Sequence, residues 1–205
     1  MFDMMKNKAA VRRQLKDALM AMSDVDRHRK SITACGLLAR TPEFEAARVV
    51  MLYLSMPQEI DTAPLALKCW QAGKTVVVPK VSFEQRRMLP VEINSLQTGI
   101  TTAADLNFRE PIAGQPIPLD LIDLVIVPGL GFTPTGYRIG RGMGFYDRFL
   151  AQPEFVGVSC GLAFEEQVIT EVPVLDHDMP LSMLVTDRGI SRFATKAISQ
   201  CGETA

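Results

Sequence analysis

Apolar residues recur along this chain in two alternating rhythms. Over residues 6–22, Leu15, Ala18, Leu19 and Met22 return at helical spacing, while Lys6, Lys8, Arg12, Arg13 and Lys16 line other faces, which predicts an amphipathic helix. Ser23 with Asp26 three residues on marks a new helix start, and Ile32, Cys35 and Leu38 form its apolar side. Thr41-Pro42-Glu43 opens a third, short helix with proline at a tolerated first position. The rhythm then changes. Val49 to Leu54 is an unbroken apolar run, as expected of a strand buried on both faces. Asp61-Thr62 caps a helix running to Trp70 and Gln71, and Gly73 closes it. Thr75 to Val78 reads as a second buried strand, Arg86 to Ile93 as a weaker one, and residues 94–120, with three prolines, as mostly loop. Leu121 to Val127 is the strongest strand. A helix is predicted from 145 to 151, strands over Phe155 to Cys160 and Met183 to Thr186, and a frayed tail from Lys196.

Alternation of buried strands with helices argues for a three-layer α/β/α fold, Rossmann-like, with a mainly parallel central sheet. Ligands in such sheets bind beyond the carboxyl ends of the strands. Three segments placed there carry chemistry: Ser55 to Thr62, Pro79-Lys80, and a glycine-rich stretch after Val127.

Composition narrows the field without naming a function. The 205 residues suit one domain, residues 1–205. The formal net charge of −1 argues against a nucleic-acid or membrane-surface partner. No apolar run approaches the roughly 18 residues of a membrane span, and no secretory leader is visible, so a cytoplasmic location is expected. Cys35, Cys69, Cys160 and Cys201 are widely separated and read as free thiols.

Six of the 14 glycines fall between Pro128 and Leu150, interleaved with Arg138, Arg141 and Arg148. Glycines let backbone N–H groups approach an anion, and arginines match phosphate geometry with paired donors. A glycine-rich turn between a strand and a helix start is a natural phosphate cradle. The pattern is neither G-x-x-x-x-G-K-[ST] nor G-x-G-x-x-G, so a P-loop and a dinucleotide fingerprint are both excluded. Asp147 at the helix start has two readings: a partner for the helix N-terminus, or a carboxylate that holds Mg²⁺ on phosphates. Glu59 precedes the helix cap and is a candidate ligand contact. Lys8 and Arg12 share one helical face, either solvated or functional. His177 has no partner cluster, and no arrangement for covalent catalysis is present.

The segment from Val127 to Leu150, V-P-G-L-G-F-T-P-T-G-Y-R-I-G-R-G-M-G-F-Y-D-R-F-L, resembles the 5-formyltetrahydrofolate cyclo-ligase (methenyltetrahydrofolate synthetase) family. So do Y-L-S-M-P-Q-E-I-D-T from Tyr53, the K-x-x-x-R of Lys8 and Arg12, and V-P-V-L-D-H-D-M-P from Val172. The resemblance runs from residue 8 to about 187. It implies an ATP- and Mg²⁺-dependent conversion of 5-formyltetrahydrofolate to 5,10-methenyltetrahydrofolate by a cytoplasmic monomer. It also implies roles. Lys8, Arg12, Arg138, Gly140, Arg141, Gly142, Met143, Gly144, Phe145 and Tyr146 would line the ATP site. Arg138 and Arg141 would act on the transferring phosphoryl group. Leu54, Glu59, Arg141 and Phe145 would meet the folate, and Asp147 and Asp178 would bind Mg²⁺. Four positions depart from the family pattern: Thr133 stands for a frequent Asp, Phe145 for a tyrosine, Met143 fills a variable slot, and Leu106 stands where some members have Trp. Two other readings compete: a member that binds without turnover, and a phosphosugar isomerase or acyl-CoA transferase on a related fold with Glu59 as its carboxylate.

Overall fold

A computed structural model describes residues 2–103 and 108–193. Its elements in chain order are α1 (Phe2–Met20), α2 (Asp24–Leu38), α3 (Pro42–Ala46), β1 (Val49–Met51), α4 (Ala63–Gln71), β2 (Thr75–Ser82), β3 (Arg87–Glu92), β4 (Ile100–Ala103), β5 (Phe108–Pro111), β6 (Leu124–Val127), β7 (Gly131–Phe132), β8 (Arg138–Ile139), α5 (Phe145–Leu150), β9 (Val158–Ala163), β10 (Met183–Thr186) and β11 (Ile190–Arg192).

Seven strands form one sheet in the order β11-β10-β9-β6-β1-β2-β3. The inner five are parallel, and the two edge strands, β11 and β3, run antiparallel to their neighbours. Alternate residues feed two cores. Val50, Val76, Leu124, Ile126, Cys160 and Val185 face α2 and α4, while Met51, Val77, Val125, Val127 and Leu184 face Phe149 and Leu150 of α5. This is the expected three-layer α/β arrangement. Because β1 is flanked by β2 on one side and β6 on the other, the connections leaving β1 and β6 diverge, which opens a crevice at their carboxyl ends.

Several elements differ from their sequence reading, each for a local reason. Strand β1 ends at Met51, although Leu52 still donates to Val77 O. The predicted strand from Leu121 begins only at Leu124, because Leu119 to Leu121 form a 3₁₀ turn that leaves Leu121 exposed. Strand β9 starts three residues late. A turn closed by Phe155 N–H to Gln152 O precedes it, and the Phe155 ring packs on Phe149 instead. Ile32 of α2 is 48% exposed, and Ser31 is buried in the place expected of it, donating to Arg27 O and accepting from Asp61 N–H. Residues 94–120 are not all loop, since β4 and β5 make a hairpin there. Lys80 is not at a strand end: it lies inside β2 and donates to Ile112 O. Leu106, Cys201 and the tail from Lys196 lie outside the described residues.

Cys35, Cys69 and Cys160 are free and buried, so burial pushes the Cys35 and Cys69 thiols up to about 12 and Cys160 higher still. Only a thiolate reacts readily with alkylating reagents. At pH 8 the native protein is therefore expected to leave these three unlabelled, with labelling by mass spectrometry appearing only on denaturation. The same shift makes the folded state hold its thiol protons. Stability from this source is complete below pH 9 and declines as the pH rises towards 12.

Candidate active site

The connection from β1 to α4 is a self-locked turn. Glu59 N–H bonds Met56 O at 3.0 Å, and Glu59 Oε2 accepts from Met56 N–H at 3.0 Å. Asp61 Oδ1 accepts from Ala63 N–H and caps α4, whereas Thr62 at the N-cap position makes no cap bond and donates to Tyr53 O. Arg27 of α2 braces the turn from behind by donating to Gln58 O, Leu19 O and Met22 O. That brace has no local signature in the sequence, because its acceptors are carbonyls of other segments.

The glycine-rich stretch begins as the small hairpin of β7 and β8 and ends at α5. Gly142 lies at φ 107°, a conformation closed to other residues without strain, and the Arg12 guanidinium lies 3.6 Å from where a Cβ would stand. Arg12 Nε donates to Gly140 O at 2.9 Å, so α1 is laid against the loop. Four residues before Arg12, and on the same face, Lys8 is buried and pairs with Asp178 at 2.6 Å. Asp178 Oδ2 also accepts from Leu175 N–H, which fixes the carboxylate in its own turn.

Arg141 reaches across the crevice to Glu59. Its Nε and Nη2 donate to Glu59 Oε1 at 3.1 and 3.0 Å. Arg138 points the other way. It is 8% exposed, its Nη2 donates to Asp147 Oδ1 at 2.8 Å, and its Nη1 donates to Met179 O at 2.9 Å. Met179 N–H in turn bonds Asp147 Oδ1 at 3.2 Å. Asp147 thus stands against the residue next to Asp178. Three of the four site cations meet a carboxylate; Arg12 meets a carbonyl.

The Tyr146 hydroxyl is buried with no partner among the described residues. Burial raises its pKa well above the ordinary value, Glu59 adds to the rise and Arg138 opposes it, so the hydroxyl keeps its proton. Phe145 packs edge-on against Phe83 at 5.4 Å between centroids, Leu54 belongs to the core, and Met143 is exposed. Beside Glu59 a cavity of about 380 Å³ opens between Met56, Asp61 and the Arg109 side of the β4–β5 hairpin.

All four dispersed motifs therefore meet at one end of the parallel sheet: α1 with Lys8 and Arg12, the Glu59 turn, the glycine loop, and the Asp178 turn. A family model for 5-formyltetrahydrofolate cyclo-ligases matches residues 4–187. The chain belongs to that family. It is an enzyme of the cyclo-ligase type. The mouse 5-formyltetrahydrofolate cyclo-ligase is 29% identical over 84% of this chain and 89% of its own length. That of Escherichia coli K12 is 30% identical over 71% and 81%. Among solved structures, the Aquifex aeolicus 5,10-methenyltetrahydrofolate synthetase superposes with a TM-score of 0.78 at 27% identity, covering 97% of this chain and 95% of that one. A synthetase from Mycoplasma pneumoniae, at 20% identity and a TM-score of 0.71, shares the fold.

Family membership accounts for why residues so far apart in sequence converge. It leaves two features that the sequence reading missed. Glu59 has a structural task in its own turn besides any ligand contact, and Arg138 with Asp147 forms a buried pair. Among the described residues no cluster of three or more His, Cys, Asp or Glu side chains offers a complete metal cage, and no helix is long and apolar enough to cross a membrane.

Proposed function

We propose that this chain is a single-domain, cytoplasmic, monomeric enzyme that converts 5-formyltetrahydrofolate to 5,10-methenyltetrahydrofolate with ATP. The observation that carries the reading is the Arg141–Glu59 contact. It sets the arginine of a phosphate cradle against the carboxylate expected to accept hydrogen bonds from a pterin, so the phosphoryl donor and the folate share a border.

In this reading Lys8, Arg12 and Arg141, with the backbone of Gly140 to Gly144, hold the triphosphate, and Arg138 adds positive charge from beneath. Met143, Phe145 and the unpartnered Tyr146 hydroxyl line the nucleotide. Leu54 borders the folate, which enters through the cavity beside Glu59. The formyl oxygen attacks the γ-phosphorus as the bond to ADP breaks. N10 then attacks the formyl carbon, loses its proton, and the carbon–oxygen bond breaks to release phosphate. Phosphoryl transfer of this kind needs positioning and charge neutralisation more than a protein nucleophile.

Asp147 and Asp178 fit Mg²⁺. Each is an oxygen donor, each is held by a cation and a backbone N–H on one oxygen, and Asp147 bonds the backbone of Met179, the residue that follows Asp178. Mg²⁺ commonly takes one or two carboxylates and completes its shell with phosphate oxygens and water. When bound, it would neutralise charge on the phosphates.

The isomerase or transferase reading would call on Glu59 alone and leaves Lys8, Arg12 and the glycine loop that Arg12 meets without a task. The test is direct. Purified protein with 5-formyltetrahydrofolate, ATP and Mg²⁺ should generate the absorbance of the methenyl product, and omission of ATP should abolish it. Product formation without ATP, or none with it, would sink the proposal.

A further inference from the structure

Arg148 is the third arginine of the glycine-rich stretch, and the reaction scheme gives it no task. Its side chain joins two segments that are remote in sequence. Nη2 donates to Met143 O at 2.8 Å and Nε donates to Arg86 O at 2.9 Å. Met143 belongs to the glycine loop. Arg86 closes the turn between β2 and β3, and it is the one non-glycine among the described residues with positive φ, 51°. The Arg148 guanidinium also lies 5.2 Å from the centroid of the Phe145 ring, which stacks edge-on with Phe83 of the same turn. No carboxylate pairs with Arg148 among the described residues.

Peptide geometry gives the contact its consequence. The Met143–Gly144 peptide is planar and trans, so its C=O and N–H point in opposite directions. A guanidinium that draws the Met143 carbonyl towards itself turns the Gly144 N–H away from itself. Gly144 suits this arrangement twice over. Its φ is 63°, and a Cβ there would stand 3.1 Å from Arg148 Nη1. The guanidinium therefore fixes the direction of one loop amide while tying the β2–β3 turn to the loop.

We propose that Arg148 is a positioning residue for the nucleotide: it aims the Gly144 N–H at the phosphates and fastens the β2–β3 turn beside them. This rests on the ATP-dependent reading above. A planar fork bridging two carbonyls is a task that lysine performs in part only.

Two measurements on the full-length protein decide it. In the first, ATP and 5-formyltetrahydrofolate are varied separately for wild type, Arg148→Ala and Arg148→Lys. Loss of charged hydrogen bonds predicts a KM for ATP about tenfold higher in Arg148→Ala, with the KM for the folate changed less than about twofold and Arg148→Lys in between. Parallel shifts in both KM values, no shift, or full rescue by lysine would overturn the proposal. In the second, limited trypsin digestion of the folded protein is followed by mass spectrometry at the Arg86–Arg87 bond. Arg148→Ala should speed this cut severalfold; an unchanged rate would overturn the fastening. The digestion needs no turnover, so a wild type that makes no product sinks the reaction scheme while the cleavage rate still judges the turn. Arg148→Lys preserves the comparison if the alanine variant does not fold.

Discussion

Arg141→Ala should lower the rate of methenyl product formation by about a hundredfold to a thousandfold at saturating substrates, the cost of removing one preorganised donor from a charge-developing centre. The folded protein should scarcely notice. The Arg141 side chain is 37% exposed, and its pair with Glu59 lies at the mouth of the crevice. The Glu59 side chain is 12% exposed, but a pair open to solvent on its arginine side contributes about 1 kcal/mol, so the melting temperature should stay within a few degrees of wild type. Glu59 keeps its second acceptor bond from Met56 N–H, so the turn that carries it is retained. Arg141→Lys separates charge from geometry. Lysine keeps the charge but not the paired Nε and Nη2 donors, and a rate between alanine and wild type is expected. A wild-type rate in the alanine variant would remove Arg141 from the chemistry.

Asp147→Ala should behave differently, because it strikes activity and folding together. Asp147 Oδ1 accepts from Arg138 Nη2 and from Met179 N–H, and the Arg138 side chain is only 4% exposed. Removing the carboxylate leaves a buried guanidinium without its counter-charge, a change that costs about 3–5 kcal/mol. A substantial fall in melting temperature should accompany loss of turnover. Asp147→Asn is the informative companion. It retains an acceptor oxygen and the shape of the side chain while deleting the charge, so it should lose turnover with a smaller loss of stability. Thermal melts and initial rates on both variants check this. An alanine variant that melts like wild type would show that Arg138 and Asp147 do not depend on one another.

The contrast between these two arginines was not legible from sequence. Both sit in the same glycine-rich run, three residues apart, and both read as phosphate ligands. The fold turns Arg141 outward to Glu59, 82 residues away, and Arg138 inward to Asp147. Nothing local sets that choice. It follows from the β7–β8 hairpin, whose two-residue strands are too short to leave a periodic signal. What was legible is local in origin. The Ser23 cap forms as read, with Asp26 N–H donating to Ser23 Oγ, and Thr41 caps α3 in the same way through Phe44 N–H. The buried strands are in place because a run such as Leu124 to Val127 has no polar residue to offer solvent. Their limits are not written in the same signal, since an apolar run does not say where hydrogen bonding stops. Strand β11 escaped notice altogether, because its three residues are exposed and alternate too briefly. In the candidate site, residue types and spacing singled out residues that the fold brings to one end of the sheet, while their pairings depended on the tertiary fold.

The Lys8–Asp178 bond joins residues 170 positions apart. On the ribosome, α1 is made before every strand of this sheet, yet the carboxylate that receives Lys8 emerges only after most of them. The segment carrying Lys8 and Arg12 must therefore wait until most of the sheet has been made before Lys8 can dock. A nascent chain halted before Asp178 would hold the cradle's glycines and Arg141 but would lack the partner that seats Lys8. The crevice therefore closes late, once the Asp178 turn can reach back to α1, and a fragment that stops short of that turn should leave Lys8 without its carboxylate.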